Sequence, residues 1–226
     1  MNIHIGFKLN DNLFIKDPEG SELGKSIVKN AIDLIYELGF EHFTFKKLSI
    51  KIEINEPSIY RYFENKQSLL LYILNWYWSY MNFLLTFKLN NLKDKEEKIK
   101  AIIELLTHEL PQGREKFDYN RKHLNHIVIL EGSKTYFIKE VDKKNKNNLF
   151  KVYKDFCGSI AKELKAYNPQ YAFPHSLSST MIETAHQQQF FAAHLPRLTD
   201  IHNKKTILYT QIFLENLVFN TLNENK

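Results

Sequence analysis

A single cysteine, Cys157, leaves no partner for an internal disulfide and points to a reducing compartment, with the cytoplasm as the expected location. Seven glycines and six prolines among 226 residues are too few for a collagen-like or low-complexity chain, and 43% apolar content is too high for a disordered one. Charge of one sign is not in large excess: 31 Lys and Arg stand against 26 Asp and Glu, a net +5 that permits a polyanionic partner without demanding one. No Gly-rich phosphate loop, nucleophile elbow or paired cysteine occurs, and none of the commonest enzyme signatures is present. The opening MNIHIGFKLNDNLFIKD lacks the basic start, unbroken apolar block and small-residue cleavage site of a leader, so none is expected. What is present suits a globular, largely helical chain with 14% aromatic residues, long enough for one generous domain or two small ones.

One apolar run is long. Gln67 to Phe87 carries no charge over 21 residues, enough to span a bilayer. Its polar members Asn75, Ser79, Asn82 and Thr86 are spaced by four, three and four, which sets them on one stripe of a helix. A lipid-facing helix has little use for such a stripe, so the spacing favours an internal helix and no membrane partner is expected.

Residues 2 to 17 alternate loosely around Asn10, Asp11 and Asn12, the pattern of a short β-hairpin or an extended arm. From Ser21 the period changes: Leu23, Ile27, Ala31, Leu34 and Leu38 recur at steps of four and three, and Gly39 follows, predicting a helix over 22–38. Thr44 caps a short second helix through Phe45, Leu48 and Ile52, and Asn55 caps a third with Pro57 in its first turn. A long helix runs from about 66 to 88. Beyond it the pattern predicts helices near 93–110, 119–131, 134–167 with a break, 175–193 and 200–222, with prolines at the boundaries. KEVDKKNKNN at 139–148 reads as a solvated helix end or loop, or as a basic binding loop. The last helix is apolar around nearly its whole circumference between Ile207 and Leu222, which a homodimer through the C-terminal helices would satisfy. A helix wrapped on all sides within one chain is the alternative.

Three helices of about 17, 9 and 8 residues, the last two joined by a tight turn, are what a helix-turn-helix reader of DNA requires. Leu48, Ile54, Ile59 and Phe63 would form its packed side, leaving Ser58, Tyr60, Arg61 and Tyr62 for the groove and the phosphates. Thr44, Lys46, Lys47 and Lys66 fall where the flanking DNA backbone would run. The segment TFKKLSIKIEINEPSIYRYFENKQSLL, 44–70, resembles the DNA-binding signature of the TetR/AcrR family of bacterial transcription regulators. Thr44, Leu48, Ile54, Ser58, Ile59, Tyr60, Tyr62, Phe63 and Lys66 occupy the family's characteristic places, and the resemblance covers about residues 22–75.

The chain departs from the pattern at the turn, where Ile52 and Glu53 replace the usual Ala and Gly, and at Ser49, where Ala is usual. A left-handed Glu53 would cost about 1 to 2 kcal/mol. Residues 1 to 66 hold nine Lys and Arg against ten Asp and Glu, while 44–66 hold five against three, so placement of charge matters more than its sum.

The resemblance implies an all-α protein with an N-terminal helix-turn-helix domain over residues 1–66 and a helical ligand-binding and dimerisation domain over 67–226. It implies that Thr44, Tyr60 and Lys66 hold phosphates while Ser58, Arg61 and Tyr62 face bases of an inverted-repeat operator. It also implies a repressor released by a small-molecule effector, and no cofactor. Asn75, Ser79 and Asn82 beside Trp76 are candidates for lining the effector pocket, as are Glu183, His186 and Gln187 in SSTMIETAHQQQFFAAHL; a stripe satisfied within the core is the alternative for the first group. Two other readings remain: a helix-turn-helix protein or adaptor without an effector, and a metal-dependent bundle enzyme built on Glu183-Thr-Ala-His186. The Glu-x-x-His spacing occurs once where a di-iron site needs it twice. The pair His123 and His126 lacks a third ligand at motif spacing.

Overall fold

Local capping chemistry begins the first helices where the sequence places them. Ser21 accepts from the Gly24 N–H and starts α1 (Glu22–Leu38), which Gly39 ends at φ 78°, a conformation a side chain would strain. Thr44 accepts from the Lys47 N–H and starts α2 (Phe45–Lys51). Asn55 accepts from the Ser58 N–H ahead of α3 (Pro57–Tyr60). The computed structural model describes residues 6–111, 119–139, 141–200 and 206–223. The later elements are α4 (Lys66–Leu89), α5 (Lys95–Thr107), α6 (Arg121–Glu131), α7 (Val141–Lys146), α8 (Lys151–Tyr167), α9 (Pro174–His194) and α10 (Thr206–Asn223). Among the described residues there is no strand, and the fold is all-α. The break expected within 134–167 falls between α7 and α8, where Asn148 takes φ 58°, a region that Asn tolerates better than most residues.

The β-hairpin is not formed over residues 6–17; residues 1–5 of that expectation lie outside the described residues. The alternative, an arm, is what the chain builds. Asn10 accepts from the Asn12 N–H and curls the chain into a 3-10 turn, Leu9 and Leu13 enter the core, and the Ile15 N–H donates to the Tyr62 carbonyl at 2.8 Å. The apolar residues of the arm thus find a helical core to enter rather than a partner strand.

The chain divides into two compact units, Met1–Tyr80 with Leu110–Val152, and Met81–Glu109 with Tyr153–Lys226. This grouping differs from the expected division at residue 66, because residues 67–80 and 110–152 cluster with the N-terminal helices. In the first unit Ile27, Val28, Ala31 and Ile32 of α1 are sealed with Phe43, Leu48, Ile59 and Phe63. Gly24 admits the 3-10 turn Pro18–Gly20 against α1, since a Cβ there would stand 2.3 Å from the Pro18 carbonyl oxygen. The hydroxyls of Tyr72 and Tyr119 both donate to Glu19 Oε1, at 3.4 and 2.9 Å, and burial raises both phenols above their ordinary range. His123 Nδ1 on α6 lies 2.7 Å from Asp33 Oδ1 on α1, and its ring stacks on Tyr36 at 3.9 Å.

In the second unit Ile99, Ile102 and Ile103 of α5 are buried, as are Phe156, Ile160 and Leu164 of α8, Met181 and Ile182 of α9, and Leu214, Val218 and Leu222 of α10. α10 is two-sided. Thr210, Leu214, Val218 and Leu222, four apart, are fully buried, whereas Leu208, Tyr209, Ile212 and Phe213 are 44–49% exposed. No described helix is long and apolar enough to cross a membrane.

Candidate nucleic-acid interface

The inner side of α2 and α3 follows from their apolar spacing. Leu48, Ile59 and Phe63 are fully buried, while Ile54, expected among them, is half-buried in the turn. That turn contains Glu53 at φ 55°, the left-handed conformation expected where a glycine is usual, and the Ile54 N–H closes it onto the Ser49 carbonyl at 3.0 Å. Ser49 itself is buried, with its hydroxyl donating to the Lys46 carbonyl at 2.9 Å. A hydroxyl in place of a methyl is thus accommodated by a local bond.

The outer side holds most of the groups foreseen for DNA. Tyr60 is 47% exposed; its ring rests edge-on against Phe45 with centroids 5.1 Å apart and its hydroxyl reaches Glu56 at 3.3 Å. Arg61 is exposed at the end of α3, and Ser58 is half-buried with its hydroxyl donating to Asn55 Oδ1. Thr44, Lys46 and Lys47 are exposed at the start of α2, where Lys47 Nζ donates to the His42 carbonyl at 2.9 Å. A helix start with a fixed hydroxyl and two lysines can hold phosphate oxygens, and a guanidinium on a rigid short helix can pair with a guanine edge.

Two of the foreseen residues face elsewhere. Tyr62 does not face outward: it is 3% exposed, its hydroxyl shares a 2.8 Å hydrogen bond with Ser21, and Lys16 Nζ lies 5.3 Å from its ring centre. Its place beside Tyr60 in sequence turns it through about 200° on a helix, toward the arm and the start of α1. Lys66 is also redirected. Its ammonium donates to the carbonyls of Phe40, Glu41 and Phe43 at 3.0, 3.1 and 3.2 Å and lies 4.8 Å from the Phe40 ring centre. All three protons are directed at backbone oxygens, so Lys66 binds the α1–α2 connection to the start of α4 instead of reaching a phosphate. Sequence reasoning missed Lys16 and Ser21 as the residues that seal Tyr62, because Ser21 is 41 positions away and no local period links them.

The residues foreseen for an effector pocket are dispersed in role. Asn75 is buried, and its amide donates to the Leu71 and Leu149 carbonyls at 2.8 and 3.0 Å, a core tie rather than a lining group. Trp76 is 3% exposed among the rings of Phe7, Tyr80 and Tyr119. Ser79 and Asn82 are half-buried, and Thr86 is exposed. In the second unit Glu183 Oε1 accepts from the Tyr153 hydroxyl at 2.9 Å, Gln187 is exposed, and burial lowers the buried His186 imidazole to about 4. Glu183 and His186 are joined by no third ligand: among the described residues no group of three His, Cys, Asp or Glu is placed to hold a metal ion.

Residues 27–73 match the family model described as bacterial regulatory proteins, tetR family. No curated protein matches the chain in sequence. Several solved structures share its fold. The crystal structure of AibR in complex with isovaleryl coenzyme A and operator DNA superposes with a TM-score of 0.60 at 12% identity, covering 86% of this chain and 97% of that one. The fatty acid degradation regulator FadR from Bacillus halodurans gives 0.61 at 17% identity, covering 85% and 92%. A tetR-family transcriptional regulator from Pectobacterium atrosepticum gives 0.59 at 13%, covering 93% and 97%.

Proposed function

We propose, from the premise that this chain belongs to the tetR family of bacterial regulatory proteins, that it is a cytoplasmic homodimeric repressor which binds an inverted-repeat operator and leaves it when a small molecule binds beyond residue 66. The observation that carries the reading is the outer side of α2 and α3, where Tyr60 and Arg61 stand exposed on a helix whose inner residues are fully sealed, beside a capped helix start bearing Thr44, Lys46 and Lys47. Thr44, Lys46, Lys47 and Tyr60 supply phosphate contacts; Ser58 and Arg61 supply base contacts. The unfavourable net charge of residues 1 to 66 makes a single copy a weak binder, and pairing of two copies through α10 provides the second half-site. The exposed apolar face of Leu208, Tyr209, Ile212 and Phe213 supports that pairing.

AibR, similar in fold, is described in complex with isovaleryl coenzyme A and operator DNA, which supports an effector-responsive regulator. A ligand acts through differential affinity for two states; here it would favour a spacing of the recognition helices that no longer fits successive major grooves. Glu183 and His186, half-buried and buried, remain the candidates for touching an effector in the second unit.

Titration of the purified protein with DNA from its own upstream region, at several salt concentrations, tests the reading. Saturable binding that weakens steeply with salt, and weakens further in Tyr60→Ala, is expected. Equal affinity for any duplex, or none, would contradict it.

A further inference from the structure

The first unit contains a cavity of about 320 Å³ where the α1–α2 connection, the start of α4 and the segment after α6 meet. Phe40, Leu70, Leu71 and Ile138 give it apolar walls; Thr135 and Gln67 add polar groups, and the carboxylates of Glu131 and Glu41 stand against the ammonium groups of Lys134 and Lys144. Glu131 is the buried charge. It is 6% exposed at the last position of α6, where the helix carbonyls already make the local potential negative. Its Oε2 is shielded from solvent and accepts no hydrogen bond. The ammonium of Lys134 lies 3.0 Å from that oxygen, out of line for a hydrogen bond, on a side chain that is 57% exposed. A buried carboxylate at a helix C-terminus needs a well-placed cation, and a solvent-exposed lysine out of line for a hydrogen bond supplies one imperfectly.

We propose that this cavity is a binding site for a small organic cation, a primary ammonium on a short apolar body, with Glu131 as its counter-ion. The ammonium displaces Lys134, whose side chain swings into solvent, and donates to both carboxylate oxygens. The apolar body lies along Leu70, Leu71 and Ile138. The volume is at the lower end of small-molecule sites and suits a ligand of roughly ten heavy atoms. The site is separate from the residues proposed above for the effector. Its lining includes Phe40 and Glu41, whose carbonyls Lys66 holds, so an occupant presses on the connection that positions α2. That coupling to DNA rests on the regulator reading; the binding itself does not.

The test uses the full chain and n-hexylammonium, with hexanoate and hexanol as matched probes, read by titration calorimetry and thermal melting at constant ionic strength. Saturable binding of hexylammonium is expected, with a rise in melting temperature of about 2 to 4 °C at saturating concentration. Hexanol and hexanoate should bind at least about tenfold more weakly, the loss expected when a charge-assisted bond is removed. Lys134→Met, which removes the competing cation, should tighten binding about threefold or more, and Glu131→Gln should abolish it. Ile138→Trp, which fills the cavity from its rim, should weaken it even where Glu131→Gln does not fold. Absence of saturable hexylammonium binding in both the wild type and Lys134→Met overturns the proposal. So does binding of hexanoate as tight as that of hexylammonium, or unchanged affinity in Ile138→Trp. A parallel DNA titration separates the two readings: a protein that binds hexylammonium and no DNA keeps the cavity and refutes the regulator.

Discussion

The end of α3 and the outer face of α10 both leave large side chains in solvent, and they differ in what those side chains can do. At α3 the exposed groups are a phenol, a guanidinium and a half-buried hydroxyl, held on a stub of helix whose other side is sealed. On α10 they are Leu208, Tyr209, Ile212 and Phe213, opposite a stripe that is fully buried every fourth residue. The first face offers directional hydrogen bonds and gains little from apolar burial; the second offers area and little direction. A nucleic acid suits one and a second protein surface suits the other. If each face has a partner, side-chain chemistry rather than exposure says which kind.

Substitutions can break that contrast at either face. Replacing Ile212 and Phe213 together by Asp should halve the mass measured by sedimentation and lower operator affinity by at least about a hundredfold, since the second half-site is then bound independently. A variant that remains dimeric would assign the apolar face to another partner. Arg61→Ala should leave the mass unchanged and reduce affinity by about 1 to 3 kcal/mol per half-site, with relaxed preference at one base pair, as read by competition with base-substituted duplexes.

The interior of the second unit supplies an effect of another kind, on folding stability rather than on binding. Burial lowers His186 to about 4 from the usual range near 6.5, so between those values the unfolded chain binds the proton that the folded chain refuses. The stability contributed by neutral His186 is full above about pH 6.5 and is lost as pH falls toward 4, to the extent of about 3 kcal/mol. Urea denaturation at a series of pH values should show this slope in the wild type and a flatter one in His186→Leu. The smallest effect belongs to Tyr62. Tyr62→Phe removes the hydrogen bond to Ser21 and should cost about 1 kcal/mol in denaturant unfolding while changing operator affinity by no more than about twofold. A large loss of affinity would return Tyr62 to the groove.

Legibility in the sequence followed the range of the forces involved. The starts of α1 and α2, the stop at Gly39 and the left-handed Glu53 were all readable, because a cap or a turn is decided within four residues. The inward set of Leu48, Ile59 and Phe63 was readable from periodicity for the same reason. Tyr62 and Lys66 were misread, and Asn75 was left open between pocket and core, because their partners lie far off in the chain: Ser21 for the phenol, the Phe40 to Phe43 carbonyls for the ammonium, the Leu149 carbonyl for the amide. A polar residue at a helical position announces that it needs a partner and is silent on whether the partner is solvent, a ligand or a distant backbone oxygen. Residues 2 to 17 stayed open between hairpin and arm for a similar reason, since alternation over a few residues resembles a strand even where a local Asn turn and a helical core claim the chain.

Hydroxyl-radical footprinting of the protein on its own upstream DNA bears most directly on the claim that two outward-facing copies of α3 read one site. The account predicts two protected stretches of similar sequence in inverted orientation, centred about one helical turn of roughly 34 to 36 Å or a multiple of it apart, both lost in Arg61→Ala at a concentration that saturates the wild type. A single protected stretch, or protection that persists unchanged in Arg61→Ala, would contradict it.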